Sequence, residues 1–343
     1  MQIAIIGAGN NAIGHAKSLA VMDEVEIVGI VDPVIERAQS LVDLVGGQAF
    51  KHHAAMLRLV APDAVWVCSP CWLHADQTVD CLSADAHVMC EKPMALNVAD
   101  CDRMIEAASS RRVKLMVDQT TRFVPNLVEM QRIFRAGECG DLVRSWSIRE
   151  SYHRIRNDAS WRLDFDKSGG IVFEWEVHEI DFVRSIGGRV SEVYAKTAFS
   201  REDAPGFLDF FSAILTFENG GYGNLEASQS EALGMSSRGF SGTKGSAISM
   251  GKNRIKIQTV DDDEPRIIEV EPDEGSKRGL NRYTSNRPFI EAILTNGPSP
   301  VSGEDAKHNI EIAVAIVESG QTGEVVEIGS GESAVGSGKP VIR

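Results

Sequence analysis

The first fifteen residues, MQIAIIGAGNNAIGH, constrain the fold of this chain more than any other stretch. Residues 3–6 form an apolar run with the composition of a buried strand, and a helix-compatible segment follows. Between them, Gly7 allows a tight turn and Gly9 lets backbone N–H groups approach a phosphate. Ala12 stands in the third glycine position, where a small residue lets the helix pack closely on the strand. The stretch is typical of a dinucleotide-binding turn.

An acidic residue stands where such a turn requires one. A second apolar run, residues 25–31, ends at Asp32, 20 positions beyond Ala12. An acidic residue at about this distance binds the adenosine ribose hydroxyls. A carboxylate there would repel a 2′-phosphate, so the sequence favours NAD over NADP. Asn10 and Asn11, where the helix begins, are expected to bind the cofactor at the positive end of the helix.

The hydrophobic pattern predicts two domains of different kinds. Strand-like runs alternate with amphipathic helices over residues 1–120, which indicates a doubly wound parallel sheet of the Rossmann type that binds NAD. Residues 121–343 are predicted to form an α+β domain with a large, open, mostly antiparallel sheet, because long alternating runs begin near Asp141. This domain is expected to bind substrate and to form oligomers, and residues from about 329 to 343, rich in Gly and Ser, are expected to form a flexible tail.

The predicted elements can be stated by residue number. The strands are 2–6, 25–31, 64–68, 87–90, 113–117, 142–151, 190–199, 208–217, 221–228, 254–260 and 266–271. The helices are 12–22, 33–45, 75–84, 97–110, 125–136, 171–186, 286–295 and 303–319.

Charge and composition exclude several classes of partner. The formal net charge of −14 argues against binding to nucleic acid or to an anionic membrane surface. No charged-then-apolar leader precedes the first strand, and no apolar stretch approaches the roughly 18 residues of a membrane span. All 6 cysteines lie in the first 139 residues, without a disulfide-like framework. We therefore expect a cytoplasmic protein.

Two loops that follow predicted strands carry polar residues. Ser69, Pro70 and His74 follow the strand at 64–68, and Glu91 and Lys92 follow the strand at 87–90. Ligands of open parallel sheets bind at the carboxyl ends of strands, so both loops are expected to flank the cofactor. Cys68-x-x-Cys71 with His74 has the spacing of half a zinc site, but no second cysteine pair follows, so buried or cofactor-adjacent thiols are favoured and no metal is predicted.

A second group of titratable residues lies in the predicted helix 171–186. Glu174, His178 and Asp181 are spaced by four and then three residues, which places their side chains on one helix face. Gly169 and Gly170 precede them and would permit a close approach of backbone to ligand. The alternatives to a catalytic role for these residues are a surface Glu–His pair and a metal site, and no metal is predicted here.

Taken together, these motifs resemble the Gfo/Idh/MocA family of NAD(P)-dependent oxidoreductases. The resemblance extends over nearly the whole chain and rests on GAGNNAIGH, Asp32, SPCWLHA, HVMCEKPMA and GGIVFEWEVHEID. It implies that Lys92 lies beside the nicotinamide and the substrate, with Glu91 near the nicotinamide ribose. It also implies that Ser69, Pro70 and His74 belong to a cofactor-contacting loop.

The chain departs from the family pattern in one motif. The family has an aspartate four residues before the histidine and a glycine two residues before it, whereas this chain has Glu174 and Glu176. Both changes suggest an altered substrate pocket and weakly favour a neutral or amino-bearing substrate. Three further family-like residues, Arg122, Trp161 and Arg162, are assigned to cofactor or substrate binding, with a purely structural role as the alternative.

The resemblance implies a dehydrogenase that oxidises a secondary hydroxyl of a sugar, sugar derivative or cyclitol. Substrate is expected between the nicotinamide and the second domain, where His178 takes the hydroxyl proton, Lys92 binds the developing alkoxide, and Glu174 or Asp181 orients the imidazole. The alternatives are a redox-neutral NAD-dependent lyase or glycosidase, and a non-catalytic regulator that senses NAD or sugar. A homodimer or homotetramer through the open sheet is expected, with no metal, nucleic acid or membrane partner.

Overall fold

The computed structural model describes residues 1–152 and 161–329. Apart from residue 329, the predicted tail lies outside the described residues. The chain divides into two compact units: the first unit combines residues 1–120 with 272–307, and the second unit combines residues 121–271 with those from 308 onward. The sequence predicts residues 272–307 in the second domain, but they pack with the dinucleotide-binding segment, because their partners are side chains such as His15 and Trp66.

Over the described residues, the elements are numbered in chain order. The strands are β1 (Gln2–Ile6), β2 (Glu26–Val31), β3 (Gln48–Phe50), β4 (Ala64–Val67), β5 (His87–Cys90), β6 (Leu115–Val117), β7 (Leu142–Tyr152), β8 (Val190–Ala198), β9 (Phe210–Phe217), β10 (Tyr222–Ser228), β11 (Ser230–Gly242), β12 (Gly245–Met250), β13 (Arg254–Thr259), β14 (Arg266–Glu269) and β15 (Val326–Glu327). The helices are α1 (Asn10–Leu19), α2 (Ile35–Val45), α3 (His53–Val60), α4 (His74–Ser83), α5 (Val98–Arg111), α6 (Pro125–Arg135), α7 (Phe165–Ser168), α8 (Gly170–Glu174), α9 (Val177–Gly187), α10 (Glu274–Arg278), α11 (Tyr283–Leu294) and α12 (Gly303–Thr322).

The first unit is built on a parallel sheet with the strand order β3-β2-β1-β4-β5-β6. This order confirms the predicted doubly wound fold. The central strands are apolar throughout because both faces of the sheet are covered; β4, for example, is buried at all four positions. Helix α11 contributes to this core, where Phe289 packs edge-on against Trp66 with ring centroids 5.8 Å apart.

The second unit is built on an open sheet with the order β14-β13-β12-β11-β7-β10-β9-β8-β15. Neighbouring strands are antiparallel except for the parallel pair of β7 and β10, so the prediction of a mostly antiparallel sheet is confirmed. Helix α9 lies on one face of the sheet, where Ser145 of β7 donates a hydrogen bond to the Val183 carbonyl. Side chains of β7 and β10 therefore alternate between this covered face and an opposite open face.

The prediction of one continuous helix over residues 171–186 is wrong. Helix α8 ends at Glu174 and α9 begins at Val177. The backbone N–H groups of Trp175 and Glu176 both donate to the carbonyl of Ile171, which breaks the regular helical pattern. Glu174 therefore belongs to a different helix from His178 and Asp181, and the one-face spacing holds only for the last two.

The glycine pair before α8 also differs from expectation. Both residues have a positive φ, and a Cβ on Gly169 would lie 2.4 Å from the Phe173 ring. A Cβ on Gly170 would lie 2.8 Å from Cβ of Leu208. Backbone conformation and packing therefore explain these two glycines without a bound ligand.

None of the described helices combines the length and apolar composition that crossing a bilayer requires.

Candidate active site

The glycine turn between β1 and α1 has the geometry of a phosphate-binding loop. Gly7 has a φ of +97°, and a Cβ at this position would lie 2.7 Å from the Cys68 carbonyl oxygen. Gly9 differs, because nothing lies within 4 Å of the position its Cβ would occupy. No side chain caps α1, and its first turn contains no acidic residue. The open space at Gly9 and the uncapped N–H groups fit a dinucleotide pyrophosphate.

Asp32 follows β2 and is bound to the glycine turn. One carboxylate oxygen accepts the backbone N–H of Ala8 at 3.0 Å, and the other accepts that of Val34 at 2.9 Å. Each oxygen retains a second lone pair for a further donor. The carboxylate is therefore held in place at the carboxyl end of β2, as a ligand for ribose hydroxyls requires.

His74 joins the two loops that are predicted to flank the cofactor. Its Nδ1 lies 2.7 Å from the Pro93 carbonyl oxygen, and its Nε2 lies 2.8 Å from the Ser69 carbonyl oxygen. The His74 side chain is buried, whereas the Ser69 hydroxyl is half-buried and donates to Gln77. These contacts fix the loop after β4 relative to the loop after β5. His74 is therefore a buried link between the two loops.

Glu91, immediately after β5, belongs to a cluster of four charged residues, of which three are buried and Arg282 is half-buried. Its Oε1 lies 3.1 Å from Nε2 of His15 and 3.1 Å from Nη2 of Arg282. Asp118, which follows β6, lies 3.4 Å from the same His15 nitrogen and 3.2 Å from Nη1 of Arg282. We call these four residues the charge cluster. It lies at the carboxyl ends of β5 and β6. Its member Glu91 directly precedes the predicted catalytic Lys92 in sequence.

The charges in this cluster stabilise one another. Burial opposes protonation of His15, but its bonds to Asp118 and Glu91 outweigh burial and raise its pKa to about 9. Burial likewise opposes ionisation of both carboxyls, yet Arg282 and His15 hold the pKa values of Glu91 and Asp118 below their usual range. At neutral pH the cluster therefore holds two anions and two cations, one of them the half-buried guanidinium of Arg282.

The charge cluster also bears on metal binding. Ligand atoms of His15, Glu91 and Asp118 lie within 4.8 Å of one another, close enough to share an ion. However, a protonated imidazole offers no lone pair, and the Arg282 guanidinium already contacts both carboxylates. The donor set therefore fits a cluster of ion pairs better than a metal.

The cysteines near the cofactor loops are free thiols. Burial and the neighbouring Glu91 carboxylate raise the pKa of Cys68, and Arg282 lowers it only in part. Burial also raises the pKa of Cys90. Both groups are therefore protonated at neutral pH and are weak nucleophiles and metal ligands.

In the second unit, Asp181 is bound to Arg122. The guanidinium donates from Nε at 2.5 Å and from Nη2 at 2.8 Å, and Asn309 donates to the same carboxylate at 2.9 Å. Asp181 is fully buried on α9, one turn after the half-buried His178. These contacts fix the Asp181 carboxylate against Arg122 and Asn309, and Thr121 donates a hydrogen bond to the His178 carbonyl at 3.4 Å.

The other carboxylates near α9 also pair with arginines. Arg162 donates from Nε to Glu174 at 2.7 Å, and its guanidinium lies 4.4 Å from the centre of the Trp161 ring. Arg149 lies 3.5 Å from Glu176. The two glutamates that distinguish this chain from the family pattern are therefore charge-compensated, so they give no reason to expect a positively charged substrate.

Sequence reasoning missed the roles of His15 and Arg282. His15 is the last residue of the GAGNNAIGH motif, and Arg282 lies in the segment that the sequence predicts in the second domain. Asn281, Tyr283 and Asn286 are candidates for the pocket on sequence grounds, but Asn286 is buried and binds His15 and Trp66. A polar residue on an otherwise apolar helix face is the signal that marks such a buried contact.

Comparison with known proteins extends this description to the whole chain. The model of the oxidoreductase family with an NAD-binding Rossmann fold, GFO_IDH_MocA, matches residues 1–119, and the GFO/IDH/MocA C-terminal domain matches residues 127–248. Myo-inositol 2-dehydrogenase of Thermotoga maritima is 29% identical over 335 residues, which cover 93% of this chain and 96% of that protein. The 2,7-anhydro-N-acetylneuraminate hydratase of Escherichia coli is 24% identical and covers 65% of this chain and 60% of its own.

Solved structures agree with these matches. The crystal structure of a probable dehydrogenase from Thermotoga maritima has a TM-score of 0.80 and 26% sequence identity, and the alignment covers 95% of this chain and 98% of that one. Both halves of the sequence and both units of the fold thus lead to the same assignment. The chain belongs to the Gfo/Idh/MocA family of NAD(P)-dependent oxidoreductases.

Proposed function

We propose that this protein is an NAD-dependent dehydrogenase that oxidises a secondary hydroxyl of a sugar, sugar derivative or cyclitol. The observation that carries the proposal is the presence of Lys92, two residues after β5, and His178, on α9, in a chain that aligns over 93% of its length with a myo-inositol 2-dehydrogenase. Asp32 favours NAD over NADP because its fixed carboxylate would repel a 2′-phosphate.

Each catalytic side chain has a separate task in this proposal. NAD, when bound, supplies the hydride acceptor. As the carbinol C–H bond breaks and its electron pair leaves as hydride, the hydroxyl proton passes to Nε2 or Nδ1 of neutral His178, and a ketone forms. The Lys92 ammonium donates a hydrogen bond to the oxygen while negative charge develops on it.

The ion pairs of the second unit support a neutral substrate. Arg122, Arg162 and Arg149 each contact a carboxylate of the protein itself. An anionic substrate would have to compete with those carboxylates, whereas a neutral polyol needs only hydrogen-bond donors and acceptors. Trp161, whose ring is half-buried, offers an apolar face to the C–H groups of a sugar ring.

The decisive experiment measures absorbance of reduced nicotinamide while the purified protein is offered neutral sugars, sugar acids and inositols, with NAD and separately with NADP. We expect the absorbance to grow with NAD and a neutral polyol. No growth with any compound, in a protein that binds NADH, would contradict a dehydrogenase.

A redox-neutral reaction is the second candidate, because a hydratase is among the relatives. Such an enzyme would oxidise and then re-reduce its substrate while NAD stays bound. Chromatographic analysis of the same reactions separates the two candidates: product without net NADH supports the redox-neutral reaction, and stoichiometric NADH supports the dehydrogenase.

The open face of the second unit's sheet supports assembly into a homodimer or homotetramer. Tyr194, Ile214 and Tyr222 are 37%, 48% and 55% exposed there. On the same face the Arg144 guanidinium lies 4.5 Å from the centre of the Trp146 ring. Light scattering should show an oligomer, and Ile214→Glu should dissociate it; a monomeric wild-type protein would contradict this proposal.

A further inference from the structure

We propose that Arg282 and a protonated His15 are positioning residues for the oxidoreductase reaction, which hold the Glu91 carboxylate and, through it, the backbone of Lys92. This inference rests on the proposed role of Lys92. Neither residue is assigned a role by the family motifs quoted above. Their effect on the reaction would be indirect, through the geometry of the loop after β5.

The Glu91 carboxylate connects the charge cluster to Lys92. Its Oε1 accepts from Nε2 of His15 and lies 3.1 Å from Nη2 of Arg282. Its Oε2 accepts the backbone N–H of Lys92 at 3.3 Å. The carboxylate thus has one oxygen on the two cations and the other on the main chain of the catalytic lysine, so a shift of the cations is passed on to that main chain.

The hydrogen-bond pattern itself determines the protonation state of His15. The Trp66 indole N–H can only donate, and it donates to Oδ1 of Asn286 at 2.9 Å. The same oxygen lies 2.7 Å from Nδ1 of His15, so Nδ1 must carry a proton. Nε2 faces Glu91 and Asp118, whose carboxylates are kept ionised by Arg282 and therefore accept only, so it must carry a proton as well.

Arg282 connects the same carboxylate to the glycine turn. Its Nη2 also donates to Oδ1 of Asn11 at 3.0 Å, at the start of α1. The stem of the side chain passes over Gly14, where a Cβ would lie 3.2 Å from Cγ of Arg282. One guanidinium therefore binds the phosphate-binding turn, the loop of Lys92 and, through Asp118, the end of β6.

The kinetic test compares two variants of Arg282 with one variant of Arg287. Arg282→Gln removes the charge, and Arg282→Lys restores it. Arg287→Gln is the matched control, because Arg287 lies on α11 and pairs with Glu24 and Glu291, away from Glu91. We expect Arg282→Gln to lower kcat about 10- to 100-fold, as small misplacements of catalytic groups do. KM for the polyol should change less than about 3-fold, Arg282→Lys should recover most of kcat, and the control should stay within about 2-fold.

Equal kcat values for Arg282→Gln and Arg287→Gln would overturn the proposal. A loss of activity that only follows the unfolded fraction, measured by urea denaturation of each variant, would overturn it too.

A substrate-independent experiment separates this inference from the proposed function. Hydrogen exchange of the Lys92 amide, followed by mass spectrometry, should be about 10-fold faster in Arg282→Gln than in Arg287→Gln. Unchanged exchange would refute the connection whatever the enzyme's substrate is.

The protonation of His15 has its own test. In protein labelled with ¹⁵N-histidine, the resonances that disappear in His15→Gln belong to this ring. At pH 7.5 both ring nitrogens should show shifts typical of an imidazolium. A neutral ring at that pH would contradict the charge cluster as described.

Discussion

Arg122 donates two hydrogen bonds to Asp181, at 2.5 and 2.8 Å, and the Asp181 side chain is fully buried. Asn309 adds a third bond to the same carboxylate. Removing the carboxylate would take away a fully buried acceptor that Arg122 and Asn309 share, which is strongly destabilising. We therefore propose a structural role for Asp181, whereas the half-buried His178 one turn before it is the proposed base.

Substitutions in α9 should separate these roles. Asp181→Ala should lower the free energy of unfolding by about 3–5 kcal/mol. His178→Ala should lower it by less than Asp181→Ala does, because the His178 side chain is half-buried whereas that of Asp181 is fully buried, while kcat falls about 10²- to 10⁴-fold and NADH binding persists. Urea denaturation, NADH fluorescence titration and steady-state kinetics measure the three quantities. Normal turnover by His178→Ala would exclude it as the base.

The two glycines of the turn should respond differently to the same added methyl group. Gly9→Ala should weaken NADH binding about 10-fold or more, because the methyl occupies the space expected for the pyrophosphate, while the exchange at the N-cap of α1 costs about 1 kcal/mol. Gly7→Ala should destabilise the fold by about 1–3 kcal/mol, because of its positive φ and the close Cys68 carbonyl. The same loss of NADH affinity and of unfolding free energy in both variants would contradict the separate roles of Gly7 and Gly9.

Asp32→Ser should shift the cofactor preference toward NADP by about 10-fold or more, because repulsion of the 2′-phosphate is removed while one acceptor for the Ala8 N–H remains. The ratio of kcat/KM with NADP to that with NAD measures the shift. Asp43→Ser, which removes the same charge from the exposed side of α2, is the control and should leave the ratio unchanged. An unchanged ratio in Asp32→Ser would show that Asp32 does not select the cofactor.

The charge cluster should make stability depend on pH in a defined direction. The folded pKa of His15, about 9, lies above its ordinary value of 6.5, so its contribution is complete below pH 6.5 and is lost as the pH rises through 9. The lowered pKa values of Glu91 and Asp118 act in the opposite direction, so their contributions are lost as the pH falls below their ordinary values of 4.5 and 3.8.

The measurement is the difference in unfolding free energy between wild type and His15→Gln from pH 6 to 10. It should shrink by about 3 kcal/mol over that range, because groups other than His15 largely cancel in the difference. Parallel curves for the two proteins would show that His15 is neutral in the folded state.

The first sheet could be predicted closely from sequence because its strands are short, apolar and buried on both faces. Residues Ile3–Ile6, for example, are all buried, and the strand is bounded by the glycine turn. Strand β3 escaped prediction because it has three residues, too few to show a period. Strand β11 was missed for a different reason: SEALGMSSRGFSG lacks β-branched residues, and pairing with β7 and β12 makes it a strand.

The candidate site shows a similar division. Asp32, Lys92 and His178 could be proposed because motif spacing is local in sequence. Contacts between distant positions could not be predicted. An example is the contact of His15 with Asn286, which lies 271 residues further along the chain. The ion pairs that compensate Glu174 and Glu176 also could not be predicted, because the resemblance assigns Arg162 to cofactor or substrate binding and Arg149 carries no motif of its own.

Because residues 272–307 belong to the first unit, the order of synthesis determines when that unit can finish folding. The first unit acquires Arg282, Asn286 and Phe289 only from this late segment, so a nascent chain that ends anywhere in 121–271 carries a sheet without them. On the ribosome, the dinucleotide-binding unit therefore begins first but is completed only after most of the second unit has been translated.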